Sequence, residues 1–201
     1  MSERGTAARI EAVARQILLE EGADAVSMRR VGEAVGVTAM AIYRHFPNRE
    51  ALLRAVADAA ARELAEAWTR RPGTGDVEER MMAALDDFLD FALGSPHLYN
   101  FLTSDAWARA RRFPDDFRDG EGPPFSVVVA LAEEGMRAGV LREDDPLETA
   151  LAVTSSTQGL VQQYLSGRMS MAEPDFRALC HRTVTRVLNG VRNKPSVPPC
   201  P

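Results

Sequence analysis

The segment from Ser27 to Phe46 sets two short helical patterns on either side of Gly36, a pattern that on its own also fits a plain helical hairpin with a solvated face. Ser27 is a good N-cap, and Val31, Ala34 and Val35 recur at i, i+3 and i+4, giving the first helix one apolar stripe. Gly36 falls where that helix must stop and the backbone turns into positive φ, which glycine adopts without steric strain. Thr38 is placed to cap a second helix, expected over Ala39–His45, with Ile42 and Phe46 facing inward. This spacing predicts a helix-turn-helix, a motif whose second helix enters the DNA major groove. Thr38, Ala39 and Ala41 are small enough for the backbone to approach base edges, and the Met40 side chain suits a thymine methyl. Tyr43, Arg44 and His45 then lie toward the phosphates as hydrogen-bond donors.

The flanking sequence supplies a third helix before the pair and a long one after it. Ile10, Val13, Ala14, Ile17 and Leu18 mark one face of a helix predicted from about Thr6 to Gly22. Pro47 ends the recognition helix, Asn48 is a cap, and Leu52, Leu53, Val56, Ala57, Ala60, Leu64 and Trp68 continue with helical spacing toward Pro72. Arg49, beside that helix start, is expected to face a phosphate together with the backbone N–H groups. Ser27 and Arg29, at the head of the first helix of the pair, complete the expected DNA-facing set.

Residues 9–53 resemble the DNA-binding domain of the TetR family of bacterial transcriptional regulators. The resemblance rests on the Ile10…Ile17-Leu18…Gly22 helix, the helix after Ser27, the Gly36-Val37-Thr38…Ile42-Tyr43…His45-Phe46 segment, and Arg49-Glu50-Ala51-Leu52-Leu53. It implies phosphate contacts for Thr38, Tyr43, His45 and Arg49, and positions facing bases or the groove wall for Ala39, Met40 and Arg44. Met40 stands where the family often has glycine or proline, and Arg49 where it usually has lysine. Beyond Leu53 the match is architectural.

The remainder is predicted helical, making the chain all-α: residues 1–54 as the DNA-binding domain, 55–192 as a helical effector-binding and dimerisation domain, and 193–201 as a disordered proline-rich tail. Helices are expected over Val77–Leu93, after the Ser95-Pro96 cap, around Trp107, over Phe125–Ala138, from Asp145-Pro146 to about Ser166, and over Glu173–Val191. Phe113 to Pro124 is expected to be irregular.

A single helix-turn-helix reads too few base pairs, so two heads about one helical turn (~34 Å) apart are expected, on a homodimer. Leu151, Leu160, Leu165, Val184, Val187 and Leu188 supply apolar surface for the last two helices to pair with their mates. The same residues would equally fill the monomer's own core.

The resemblance further implies an enclosed pocket for a small-molecule effector of apolar or aromatic character. Phe88, Phe91, Tyr99, Phe101 and Trp107 are its candidate aromatic lining, with Thr154, Gln158 and Gln162 as sparse polar anchors. It implies, too, a repressor released from a palindromic operator when ligand binds the off-operator conformation more tightly. A helix-turn-helix used purely to bind other proteins is the alternative, and would show no salt-dependent DNA affinity.

Net charge is −5 over 201 residues, yet Met28 to Arg54 carries five arginines against Glu33 and Glu50, a local +3. An acidic body with a basic head favours selective operator binding over general adhesion to polyanions. No apolar run reaches the ~20 residues needed to cross a bilayer, and the first residues are polar, so a cytoplasmic protein without membrane contact is expected. Cys180 and Cys200 form no metal or disulfide framework, and the former is expected as a buried small hydrophobe. Asp86-Asp87-Phe-Leu-Asp90 has a carboxylate spacing able to bind Mg²⁺, but no second ligand cluster accompanies it. These aspartates are expected as a solvated face, and no catalytic residue, cofactor or metal is expected.

Overall fold

The structure is a computed structural model that describes residues 3–70, 75–103, 113–118 and 123–193. Trp107, the segment around it and the proline-rich tail with Cys200 lie outside these residues. Within them every regular element is helical, and the β pairing is a single isolated bridge between Leu141 and Arg192. The chain divides into two compact units, Met1–Leu64 with Phe91–Arg111, and Ala65–Asp90 with Arg112–Pro201. The expected boundary after residue 54 falls inside one continuous helix, Arg49–Arg70.

The first unit begins with α1 (Glu3–Glu21), a 3₁₀ turn (Ala23–Ala25), α2 (Met28–Val35), α3 (Ala39–Tyr43) and α4 (Arg49–Arg70) as far as Leu64. The stripe on α1 is its core face: Ile10, Ala14 and Leu18 are fully buried. They meet Val26, Val31, Val35, Ile42, Leu52, Leu53 and Val56 in one apolar cluster. Gly36 takes the predicted left-handed conformation (φ 79°, ψ 34°), and its N–H closes α2 on Gly32 O. Asn48 caps α4, its Oδ1 accepting from Ala51 N at 2.7 Å. Arg15 on α1 bridges to Glu63 on α4 at 2.7 Å.

The sequence pattern does not show the 3₁₀ turn, and α3 is shorter than expected. His45 N and Phe46 N both donate to Ile42 O, so the chain tightens into a turn after Tyr43. Pro47, which disfavours helical conformation in the residue before it, prevents continuation. In the same unit α6 (Pro96–Leu102) buries Leu98 and Tyr99 and packs on α1. Its first-turn proline is as expected, but the Ser95 side chain makes no capping bond.

The second unit holds residues 77–90 of α5 (Val77–Gly94), a short α7 (Asp115–Arg118), α8 (Pro123–Arg137), α9 (Pro146–Leu165) and α10 (Glu173–Val191). Where the sequence suggested an irregular connection after Phe113, α7 forms, and Phe117 stands edge-on to Phe125 with ring centroids 5.1 Å apart. Asp145 caps α9 by accepting from Leu147 N at 2.8 Å and Glu148 N at 3.3 Å. α9 packs against both α8 and α10. Gly135 is needed on α8 for close approach, since a Cβ there would sit 2.8 Å from Leu141 Cδ1.

On α10, Phe176, Cys180, Val184 and Leu188 form the buried stripe. Phe176 is fully buried and stacks on Tyr164 of α9, centroids 4.1 Å apart and planes 14° from parallel. Burial pushes the Cys180 thiol up to about 11, so it is an inert hydrophobe at neutral pH. The expected solvated face at Asp86 and Asp90 stays open to solvent, and both carboxylates also bond to α10. Asp86 Oδ1 lies 2.6 Å from His181 Nε2, and Asp90 accepts from Arg177 at 2.7 Å. Arg192 pairs with Glu78 further along the same two helices.

Candidate nucleic-acid interface

The candidate surface is built on α2, α3 and the first turn of α4. Ser27 is in extended conformation and its hydroxyl accepts from Arg30 N at 3.2 Å, so the side chain is engaged as the cap of α2. Thr38 does the same for α3, accepting from Ala41 N at 3.2 Å. With these caps and the Gly36 turn, a helix of five residues is held in place by one fully buried anchor, Ile42.

The opposite face of α3 is open. Met40 is 73% exposed and Tyr43 47%, Arg44 is exposed, and His45 is half-buried. The side chain of Ala39 lies outside the described residues. Among the described residues nothing covers the Met40 thioether, which stands beside the exposed Tyr43 phenol and Arg44 guanidinium. The combination offers apolar contact to a base methyl with hydrogen-bond donors alongside.

The basic character of the head is partly absorbed internally. Arg30 pairs with Glu21 of α1, and its guanidinium holds that carboxyl below the usual carboxylate range. Arg29 is exposed but sits 3.7 Å from Glu33. Arg49 Nε donates to Val26 O at 2.7 Å and Nη2 to Ala23 O at 2.5 Å, rather than standing clear of the fold. Arg9 was not singled out by sequence reasoning, yet its Nη2 donates to Val35 O at 2.9 Å and caps the C-terminus of α2. No periodicity marks a partner 26 residues away that is a backbone carbonyl.

The expected effector and dimer residues fall into several settings. In the first unit, Tyr99 is buried, and Phe91 and Phe101 pack against the apolar cluster there. In the second, Phe88 is half-buried, Gln158 and Gln162 are exposed, and the Thr154 hydroxyl donates to Ala150 O of its own helix at 2.9 Å. A cleft of about 460 Å³ between α5 and α10 contains Leu188 of the expected dimer set and none of the expected effector residues; Asp76, Glu78, Glu79, Asp86 and Arg192 line it with Met82 and Ala83. Val184 and Leu188 are 1% and 2% exposed within the chain itself, so they belong to its core and cannot be interface surface. Leu160, Leu165 and Val187 are half-buried, and Leu151 is exposed. Among the described residues no group of histidine, cysteine and carboxylate side chains could hold a metal ion, and no helix is long and apolar enough to cross a membrane.

Two family models match the chain. Residues 10–56 match the bacterial regulatory proteins of the tetR family, and residues 81–187 match the tetracyclin repressor-like C-terminal domain. Among solved structures, a TetR-family transcriptional regulator from Pectobacterium atrosepticum superposes with a TM-score of 0.74 at 24% identity, covering 96% of this chain and 97% of that one. The transcriptional regulator FadR from Bacillus subtilis, in complex with stearoyl-CoA, superposes with a TM-score of 0.70 at 14% identity, covering 92% and 98%. A curated relative, the nucleoid occlusion factor SlmA of Glaesserella parasuis, is 30% identical over 87 residues, so the match spans 43% of each protein. The C-terminal match alone spans more than half of the residues, and with the helix-turn-helix match it shows that this chain belongs to the TetR family of DNA-binding transcriptional regulators.

Proposed function

We propose that the protein is a homodimeric repressor that reads a palindromic operator through α3 and leaves it when a small apolar or aromatic effector binds the C-terminal unit. The observation that carries operator reading is the α3 face, where Met40, Tyr43 and Arg44 are exposed opposite the buried Ile42. Met40 is the base-facing member, Arg44 faces the bases or the groove wall, and Thr38, Tyr43 and His45 are the backbone-facing ones. The stearoyl-CoA held by the Bacillus subtilis relative supports an effector of apolar character. Release follows if the effector favours the conformation with the lower operator affinity, since a ligand indifferent to the two states shifts nothing.

Self-association is supported by the surface of α9. Leu151, Ala152, Ser155, Gln158, Gly159, Gln162, Gln163 and Ser166 form a continuous exposed stripe, and the sequence has no charged residue between Glu148 and Arg168. An exposed stripe of about four turns without charge is the composition of a helix that pairs with a copy of itself. A Cβ added at Gly159 would meet nothing within 4 Å in the monomer. Gly159→Glu is therefore expected to leave the fold intact and to convert dimer to monomer, because it buries two unpaired carboxylates in the proposed interface. Sedimentation equilibrium checks this; an unchanged dimer mass would remove the α9 stripe from the interface.

The operator reading is tested by selecting bound duplexes from a random pool with the full-length protein, then titrating salt against the winners. Enrichment of a palindrome whose affinity falls as salt rises is expected. Absence of any enriched sequence would favour a protein-binding role for the head. Within the selected site, Met40→Gly is expected to change the preferred base at the position it faces while leaving the salt dependence unchanged. A variant with weaker affinity and an identical base preference would exclude Met40 from readout.

A further inference from the structure

Arg49 opens α4, the place where a cation would ordinarily serve a phosphate. Its side chain instead engages the backbone of its own unit. Nε donates to Val26 O at 2.7 Å and Nη2 to Ala23 O at 2.5 Å, with the Asp24 carboxylate 3.8 Å from Nη2. These two nitrogens form one edge of the planar guanidinium, so the side chain is clipped at two points. The carbonyls belong to the 3₁₀ turn and to Val26, the residue immediately before the Ser27 cap of α2. Val26 itself is 1% exposed, which fixes that corner in the core. α2 then carries α3 through the Gly36 turn, and at its far end Arg9 holds Val35 O. Both ends of α2 are thus held by a guanidinium, one from α1 and one from α4.

We infer that Arg49 is a positioning residue for operator binding: a two-point clip that sets the α2–α3 pair on α4, and not a phosphate ligand. This rests on the operator reading proposed above. Phosphates are engaged by the α3 side chains, whose placement depends on the clip. Lysine keeps the charge but presents a compact ammonium without the planar edge, so it does not reproduce two fixed donors.

The test uses the full-length protein and the duplex that wild type selects from a random pool. Arg49→Ala and Arg49→Lys are compared at a temperature where circular dichroism shows both fully folded; Arg49→Lys carries the test if the alanine variant does not fold. Each variant is expected to weaken binding roughly ten-fold or more, because a loosened supporting shell displaces the reading groups. The slope of log affinity against log salt should stay at the wild-type value. A lost phosphate contact would flatten that slope by about 0.9 per head. A flattened slope in Arg49→Ala with near-wild-type behaviour in Arg49→Lys would show a phosphate ligand and overturn the inference. Lowered melting temperature with unchanged affinity would show a merely structural arginine and overturn it as well. Failure of wild type to select any duplex would instead remove the operator reading, and the positioning role with it, before any variant is made.

Discussion

Phe176→Ala is expected to destabilise the C-terminal unit by about 3–5 kcal/mol, the range for deleting a fully buried aromatic ring. The ring is fully buried and stacked on Tyr164 at 4.1 Å, so its removal forfeits both the transfer energy and the stacking contact between α9 and α10. Cys180, Val184 and Leu188 continue the same stripe and are held within one packed face, which limits how far the site can collapse. At roughly 2–4 °C per kcal/mol for a chain of this length, the melting temperature should fall by roughly 6–20 °C. Differential scanning calorimetry of the variant measures it. A fall of less than about 2 °C would mean that the α9–α10 contact is not the core described here.

Ile42→Ala should act on the other unit, and on function more than its size suggests. Ile42 is fully buried and, among the described side chains of this five-residue helix, is its one such anchor. Truncation costs about 2–5 kcal/mol by the same cavity argument. α3 has too few internal hydrogen bonds to persist without that contact, since helix nucleation alone is unfavourable. Operator affinity is therefore expected to fall far more than in Met40→Gly, with amide exchange rising over residues 38–46 while α10 stays protected. Hydrogen exchange and a binding titration read the two halves of this result. Retained affinity would show that α3 is held by something other than Ile42.

Much of this architecture is visible in side-chain periodicity. The α1 stripe, the left-handed Gly36, the Asn48 and Asp145 caps and the full extent of Glu173–Val191 all follow from local rules. What is hidden is what depends on partners distant in sequence. Asp86 and Asp90 read as a solvated face and are solvent-accessible, but their bonds to His181 and Arg177, 95 and 87 residues away, leave no mark in the sequence. Val184 and Leu188 declare an apolar face, but periodicity does not say whether the same chain or a second copy covers it. The 3₁₀ turn is three residues long, too short to show a period. Arg49 is the clearest case at the candidate site: its acceptors are backbone carbonyls, which every residue carries and no sequence pattern marks.

In the proposed complex two copies of α3, held by one dimer, read two half-sites on one face of the duplex. The decisive experiment compares wild-type affinity for the selected palindrome with that for the same sequence carrying half a helical turn, about 5 bp, inserted between its halves. Most specific affinity should be lost, down to the level of an isolated half-site, because the second head then faces the wrong side of the DNA. Equal affinity for the two duplexes would contradict it.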